Sequence, residues 1–138
     1  MSWLLFAVGS AFFAGITAIL AKIGIQSVPS HLATALRTGV VLVFAWGMVF
    51  LVGSQGDLAQ LTGGDLAWLV LSGLATGASW LCYFRALQAG PASVVVPIDK
   101  LSILVTILFS SLVLKETLSR KAALGLVLIL AGTGAMLL

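Results

Sequence analysis

The sequence predicts an all-α integral membrane protein with five transmembrane helices. Two observations carry that expectation. Of the 138 residues, 61% are hydrophobic and only 8% are charged, with a mean hydropathy of +1.22, whereas soluble domains carry about 25% charged residues. Seven Lys/Arg and four Asp/Glu cannot coat a soluble domain of this size. The apolar residues also fall into long runs, close to the ~20 residues a helix needs to cross a bilayer. Alternating strands of about ten residues, the mark of a membrane β-barrel, do not fit such runs. The lone Cys82 excludes a disulfide scaffold, and the aliphatic content excludes disorder. The pI of 9.5 comes from basic residues too scattered to form a nucleic-acid patch, so no nucleic-acid partner is expected.

The first run, 3–21, is uncharged and closes at Lys22. A cleaved signal peptide is its rival reading, but no basic residue precedes the run and four further runs follow it. The second, 32–52, carries Arg37 near its start and follows a link containing Pro29 and Ser30, suited to opening a helix. After the Gly-rich connection Gly53 to Asp65 comes the third run, 66–87, with Arg85 close to its end. The tight turn Gln88 to Pro91 leads to the fourth, 92–114, which holds Asp99 and Lys100. Lys115 to Lys121 is a short polar link in which Ser119 is the expected N-cap of the fifth run, 122–138. That last run is short, a mismatch that local thinning of the bilayer can absorb.

Five crossings alternate the links between the two membrane faces. One face receives Lys115, Arg120 and Lys121, the other Lys22, Arg37 and Arg85, with Lys100 too deep to count. A fixed orientation normally shows a Lys/Arg excess on the cytoplasmic side. Three against three predicts dual insertion and pairing as an antiparallel homodimer; Lys100, lipids or a partner tipping the balance is the alternative. Close packing in lipid uses small residues, and Ala7, Ala11 and Gly15, Gly73 and Gly77, and Gly125 and Gly132 are the candidate packing rows, within one subunit or between two.

Polar residues inside the runs point to a site. Asp99, Ser102, Thr106 and Ser110 share one helical face, as do Thr76, Ser79 and Tyr83 with Trp80 alongside. Asp99 and Lys100 lie roughly 12–14 Å beyond Pro91 along a helix axis, where a charge is costly unless hydrated or paired, and the long side chain of Arg85 is a candidate partner for Asp99. Pro97 cannot donate to the carbonyl of Ser93, so a helix bend is expected there, and interrupted helices often hold transporter sites. A buried network or a kink that merely shapes the bundle are the structural readings of the same residues. One His and one Cys, His31 and Cys82, provide no metal cluster; Cys82 reads as a small buried residue. No nucleotide-binding loop is present. No enzyme activity, metal or cofactor is expected.

The stretch WLCYFRALQAGPASVVVP, the segment LVLKETLSRKAALGLVLILAGTGAML with Glu116, Leu118, Gly125 and Gly132, and Gly15 with Lys22 at the close of the first helix resemble, in this order, the EamA domain of the drug/metabolite transporter superfamily. The resemblance covers essentially the whole chain and is closest to the short, single-domain form. It implies one half of a ten-helix inverted-repeat transporter, two copies doing the work of two halves, and alternating-access movement of small metabolites or drug-like solutes. The segment Pro97-Ile98-Asp99-Lys100 departs from the mostly uncharged family pattern. The function expected is secondary transport of a small polar or charged metabolite across the cell (inner) membrane. Asp99 would accept a proton or a cationic group, Lys100 or Arg85 would pair with it or with an anion, and Trp80 and Tyr83 would meet the substrate. A non-transporting assembly or regulatory subunit, and a multidrug exporter, are the alternatives.

Overall fold

The computed structural model describes residues 2–138. Among them the regular structure is helical throughout, with six α-helices and no strand. The chain divides into two compact units, Met1–Ala89 and Gly90–Leu138. Four helical stretches are long and apolar enough to cross a membrane: Trp3–Gly24, Ser30–Val52, Gly63–Ala89 and Ala92–Leu114. This is a multi-pass membrane protein.

The first unit holds α1 (Ser2–Gly24), α2 (Ser30–Val52) and α3 (Gly63–Ala89). Helices of 23 residues span about 34 Å at ~1.5 Å per residue, enough for a hydrocarbon core of about 30 Å. Pro29, extended at ψ 136°, opens α2 and offers its carbonyl to the Ala33 amide at 3.0 Å. Thr34 and Thr38 return their hydroxyl protons to the carbonyls one turn back, at 2.8 and 2.7 Å. Such back-bonding satisfies a hydroxyl where water is absent. α2 stops at Gly53, whose φ of +80° suits a residue without Cβ, and its amide closes on the Val49 carbonyl at 3.0 Å.

The Gly-rich connection is not a plain loop. Ser54–Gln60 winds into a 3₁₀ turn, and α3 then starts at Gly63, three residues before the expected position. The cause is a reciprocal cap. The Asp65 amide donates to Thr62 Oγ1 at 3.2 Å, while Asp65 Oδ2 accepts from the Thr62 amide and hydroxyl at 3.1 and 2.6 Å. α3 packs on both α2 and α1. Ala18, Ile25, Phe84 and Leu87 are buried, but most large apolar side chains, Phe6 at 79% and Leu51 at 83% among them, are exposed. Hydrocarbon accepts such surfaces, and backbone pairing within the helices makes them tolerable there.

In the second unit the fourth run is not one helix. α4 (Ala92–Asp99) ends two residues past Pro97, and α5 (Ser102–Phe109) begins after a turn at Lys100 and Leu101. Across the turn the bonds tighten to i→i−3: Leu101 to Ile98 at 2.9 Å, Ile103 to Lys100 at 3.1 Å, Leu104 to Leu101 at 2.9 Å. α5 loosens into a π-turn over Ser110–Leu114, and Lys115 stops it in the left-handed region at φ +56°. Ser119 caps α6 (Arg120–Ala135), its Oγ accepting from the Ala122 amide at 3.2 Å, as the sequence predicts. α6 packs against α4. With 16 residues it measures about 24 Å, short of the ~30 Å hydrocarbon core, so the described residues supply four helical stretches of spanning length where the sequence predicts five crossings.

Candidate functional site

In the first unit, the end of α1, the start of α2 and the end of α3 are tied together by side chains on backbone carbonyls. Lys22 Nζ donates to the Leu87 carbonyl. Gln88 Nε2 donates to the carbonyls of Ile25 at 3.1 Å and Val28 at 2.9 Å, and Gln88 Oε1 accepts from Arg85 at 3.2 Å. The amide of Gln88 thereby satisfies carbonyls that the α1–α2 link cannot pair within itself. Arg85 has its partner on its own helix, and Asp99, in the other unit, faces Lys100.

Above this clamp, Arg37 lies over two rings of α3, 4.9 Å from the Trp80 centroid and 5.0 Å from that of Phe84. Residues 80 and 84 are one turn apart, so they present adjacent faces to one guanidinium. Two grooves flank the stack. One of about 280 Å³ is lined by Gly24, Ile25, Val28, Leu36, Arg37 and Phe84, among others; the second, about 420 Å³, lies between α2 and α3 and holds Thr38, Ser72, Gly73, Thr76, Gly77 and Trp80. The sequence-predicted residues Thr76 and Trp80 therefore line one groove with the glycines Gly73 and Gly77. Thr76 gives its proton to the Ser72 carbonyl at 2.9 Å and has only lone pairs to offer a ligand. Tyr83 is half-buried, edge-on to Phe84 with centroids 5.6 Å apart. Cys82, expected to be buried, is exposed: its place on α3 turns it away from the α1 and α2 contacts.

In the second unit, Asp99 Oδ2 lies 3.8 Å from Lys100 Nζ at the helix break, the Lys100 side chain exposed and that of Asp99 partly covered. Thr106 donates to the Ser102 carbonyl at 3.1 Å, so this polar stripe, like Thr76, is spent partly on its own backbone. Ser110, the last member of the stripe, donates to the Glu116 carboxylate, folding the link after the π-turn back on α5. Their pocket of about 220 Å³ also takes in Thr106, Ser111 and Thr117.

Arg37, Gln88 and Lys22 join this cluster, although nothing in the sequence assigns any of them a role in a site. In the sequence Arg37 is a charge inside an apolar run and carries only a topology signal. Its aromatic partners lie more than 40 positions away, beyond the reach of local pattern.

The EamA-like transporter family profile matches residues 1–138. The chain belongs to the EamA-like transporter family. A relative from Sinorhizobium sp., described as an uncharacterized transporter in the cobO 3' region, is 44% identical over 131 residues, 95% of this chain and 93% of that protein. A second, the probable 4-amino-4-deoxy-L-arabinose-phosphoundecaprenol flippase subunit ArnE of Erwinia tasmaniensis, is 38% identical over 85 residues, 59% of this chain and 79% of its own length. No solved structure matches the chain.

Proposed function

We propose that this EamA-like protein is a secondary transporter of a small polar or charged metabolite in the cell (inner) membrane, working by alternating access as an antiparallel homodimer. The observation that carries the reading is the interrupted helix at Asp99, Lys100 and Leu101 within an otherwise apolar span. Broken membrane helices expose backbone and charges where a solute or ion can meet them. In this reading α1, α2, α3, the α4–α5 pair and α6 make five crossings, half of a ten-helix inverted repeat. Asp99 takes up a proton or a cationic group, and Lys100 holds its charge balance. Trp80 and Tyr83 offer ring faces, and Thr76, Ser102 and Thr106 offer oxygen lone pairs.

Three observations support the pairing. Lys and Arg are close to balanced between the two membrane faces that the five-crossing reading assigns. A Cβ placed on Gly15, Gly73, Gly77, Gly125 or Gly132 would meet nothing within 4 Å, so the small-residue rows, with Ala7 and Ala11 on the exposed face of α1, have room for a second copy. The same span makes up nearly all of the Sinorhizobium relative. A second reading, a membrane subunit that moves no solute alone, is favoured by the word "subunit" in the description of the Erwinia relative.

Asp99→Asn tests the site. It keeps size and hydrogen bonding but cannot release a proton. Reconstituted in proteoliposomes, the variant is expected to retain counterflow of the substrate found in a radiolabelled metabolite panel and to lose uptake driven by a pH gradient. Wild-type pH-driven uptake would remove Asp99 from coupling. Folded wild-type protein without counterflow for any panel member would favour the subunit reading.

A further inference from the structure

We propose that the groove beside Arg37 binds a lipid-borne anion: a phosphate or carboxylate held by the guanidinium, with its apolar chain laid along α1, α2 and Phe84. The inference goes beyond the transport reading: it assigns a lipid site beside the route of the small metabolite and does not depend on that route. Arg37 is seven residues past Ser30, the first residue of α2, or about 10 Å into a candidate membrane span. An arginine side chain stays protonated in proteins and carries five N–H donors. A charge at such a depth is expensive and marks a functional position unless it is paired.

Within its own unit Arg37 has no carboxylate to pair with. The only two there, Asp57 and Asp65, lie in and next to the α2–α3 link at the far end of the helices. Asp57 accepts from Gln60 at 3.4 Å, and Asp65 is held by Thr62. The Trp80 and Phe84 rings offset part of the charge. Ring faces and the nearby Tyr83 supply no full negative charge, and the in-plane N–H donors of a guanidinium fork are suited to taking an anion. Lys22 and Arg85 stand at the same end of the unit, so its local field favours an anion.

The walls select the rest of the ligand. Among the described residues Arg37 is the sole ionisable member of a lining otherwise built from Gly24, Ile25, Val28, Leu36, Phe84 and similar side chains. A free inorganic anion would lose its hydration there and gain one cation. An anion on an apolar chain keeps the same cation and places the chain on the aliphatic wall. Gly24 lines this groove, and a Cβ on it would meet nothing within 4 Å, so a larger side chain there fills the groove without straining the fold.

The test measures dodecyl phosphate binding to the full chain in phosphatidylcholine nanodiscs, corrected for empty discs. Tryptophan fluorescence is the readout because Trp80 lies under Arg37. Saturable binding is expected, with inorganic phosphate and dodecyltrimethylammonium weaker by about tenfold or more, and with Arg37→Gln and Gly24→Leu each losing about tenfold. Equal affinity for inorganic phosphate would overturn the lipid-borne ligand, and equal affinity for the cationic amphiphile would overturn the anion site. Should Arg37→Gln fail to fold, the ligand series and Gly24→Leu decide the matter without it. Dodecyl phosphate binding without any solute counterflow would sink the transport reading and keep this site. Counterflow that Arg37→Gln leaves unchanged, with no dodecyl phosphate binding, would do the reverse.

Discussion

At the scale of the residue, Gln88 does more than its place in a turn suggests. Its amide reaches Ile25 and Val28, 63 and 60 positions upstream, and is oriented in turn by Arg85. Gln88→Leu keeps the bulk and strips both donors from the α1–α2 link. The expected loss is about 1–2 kcal/mol, since intramembrane hydrogen bonds contribute less each than the cost of an orphaned carbonyl suggests. The midpoint of SDS-induced unfolding in mixed micelles measures it, and an unchanged midpoint would show that water or lipid replaces the amide. Sequence alone gave Gln88 no role because nothing local marks a side chain whose partners are so distant. The predicted polar stripes were legible as positions. Their present use was not, because a threonine in a helix can keep its proton for the carbonyl one turn back, as Thr76 and Thr106 do.

At the scale of the element, the fourth span shows how one residue redirects a helix. Pro97 lacks the N–H that would pair with Ser93, and the helix persists only two residues beyond it before tightening at Lys100 and Leu101. Pro97→Ala restores the donor. It is expected to raise the unfolding midpoint while slowing counterflow, because a continuous helix buries the backbone that the break exposes. Faster or unchanged counterflow would mean that the break takes no part in transport. A break near Pro97 was readable from the sequence, since the cause is covalent. Its location at Asp99–Leu101, the π-turn over Ser110–Leu114 and the left-handed Lys115 were not, for these depend on how each turn relaxes after the last. The early start of α3 had a readable signal in Thr62 and Asp65, spaced three apart as a reciprocal cap requires.

At the scale of the whole molecule, the even distribution of Lys and Arg sets the orientation question. Arg37, engaged with Trp80 and Phe84 inside the span, weighs less as a link charge than Lys22 or Arg85, which leaves two against three: still close to balance. Copies are expected in both orientations. A cytoplasm-only fluorescent reporter and a periplasm-only enzymatic reporter, each fused to the C-terminus, should both give signal, and signal from one alone would rule out dual insertion. Two lysines added between Gly53 and Asp65 should draw that link to the cytoplasm and shift the reporter ratio accordingly.

The sequence by itself determined the membrane class, four of the five spans it predicts, the cap at Ser119 and the family. Each follows from composition, from run length against bilayer thickness, or from motifs ordered along the chain, all properties of contiguous residues. Only the tertiary structure decided which polar groups meet. It set Arg37 on Trp80 and Phe84, drew Lys22 and Gln88 onto distant carbonyls, and gave Asp99 the neighbouring Lys100 as its partner. Those choices depend on how α3 rotates against α1 and α2 and on where the fourth span breaks. Helical periodicity fixes which residues share a face; which face meets which neighbour is set by packing across the bundle.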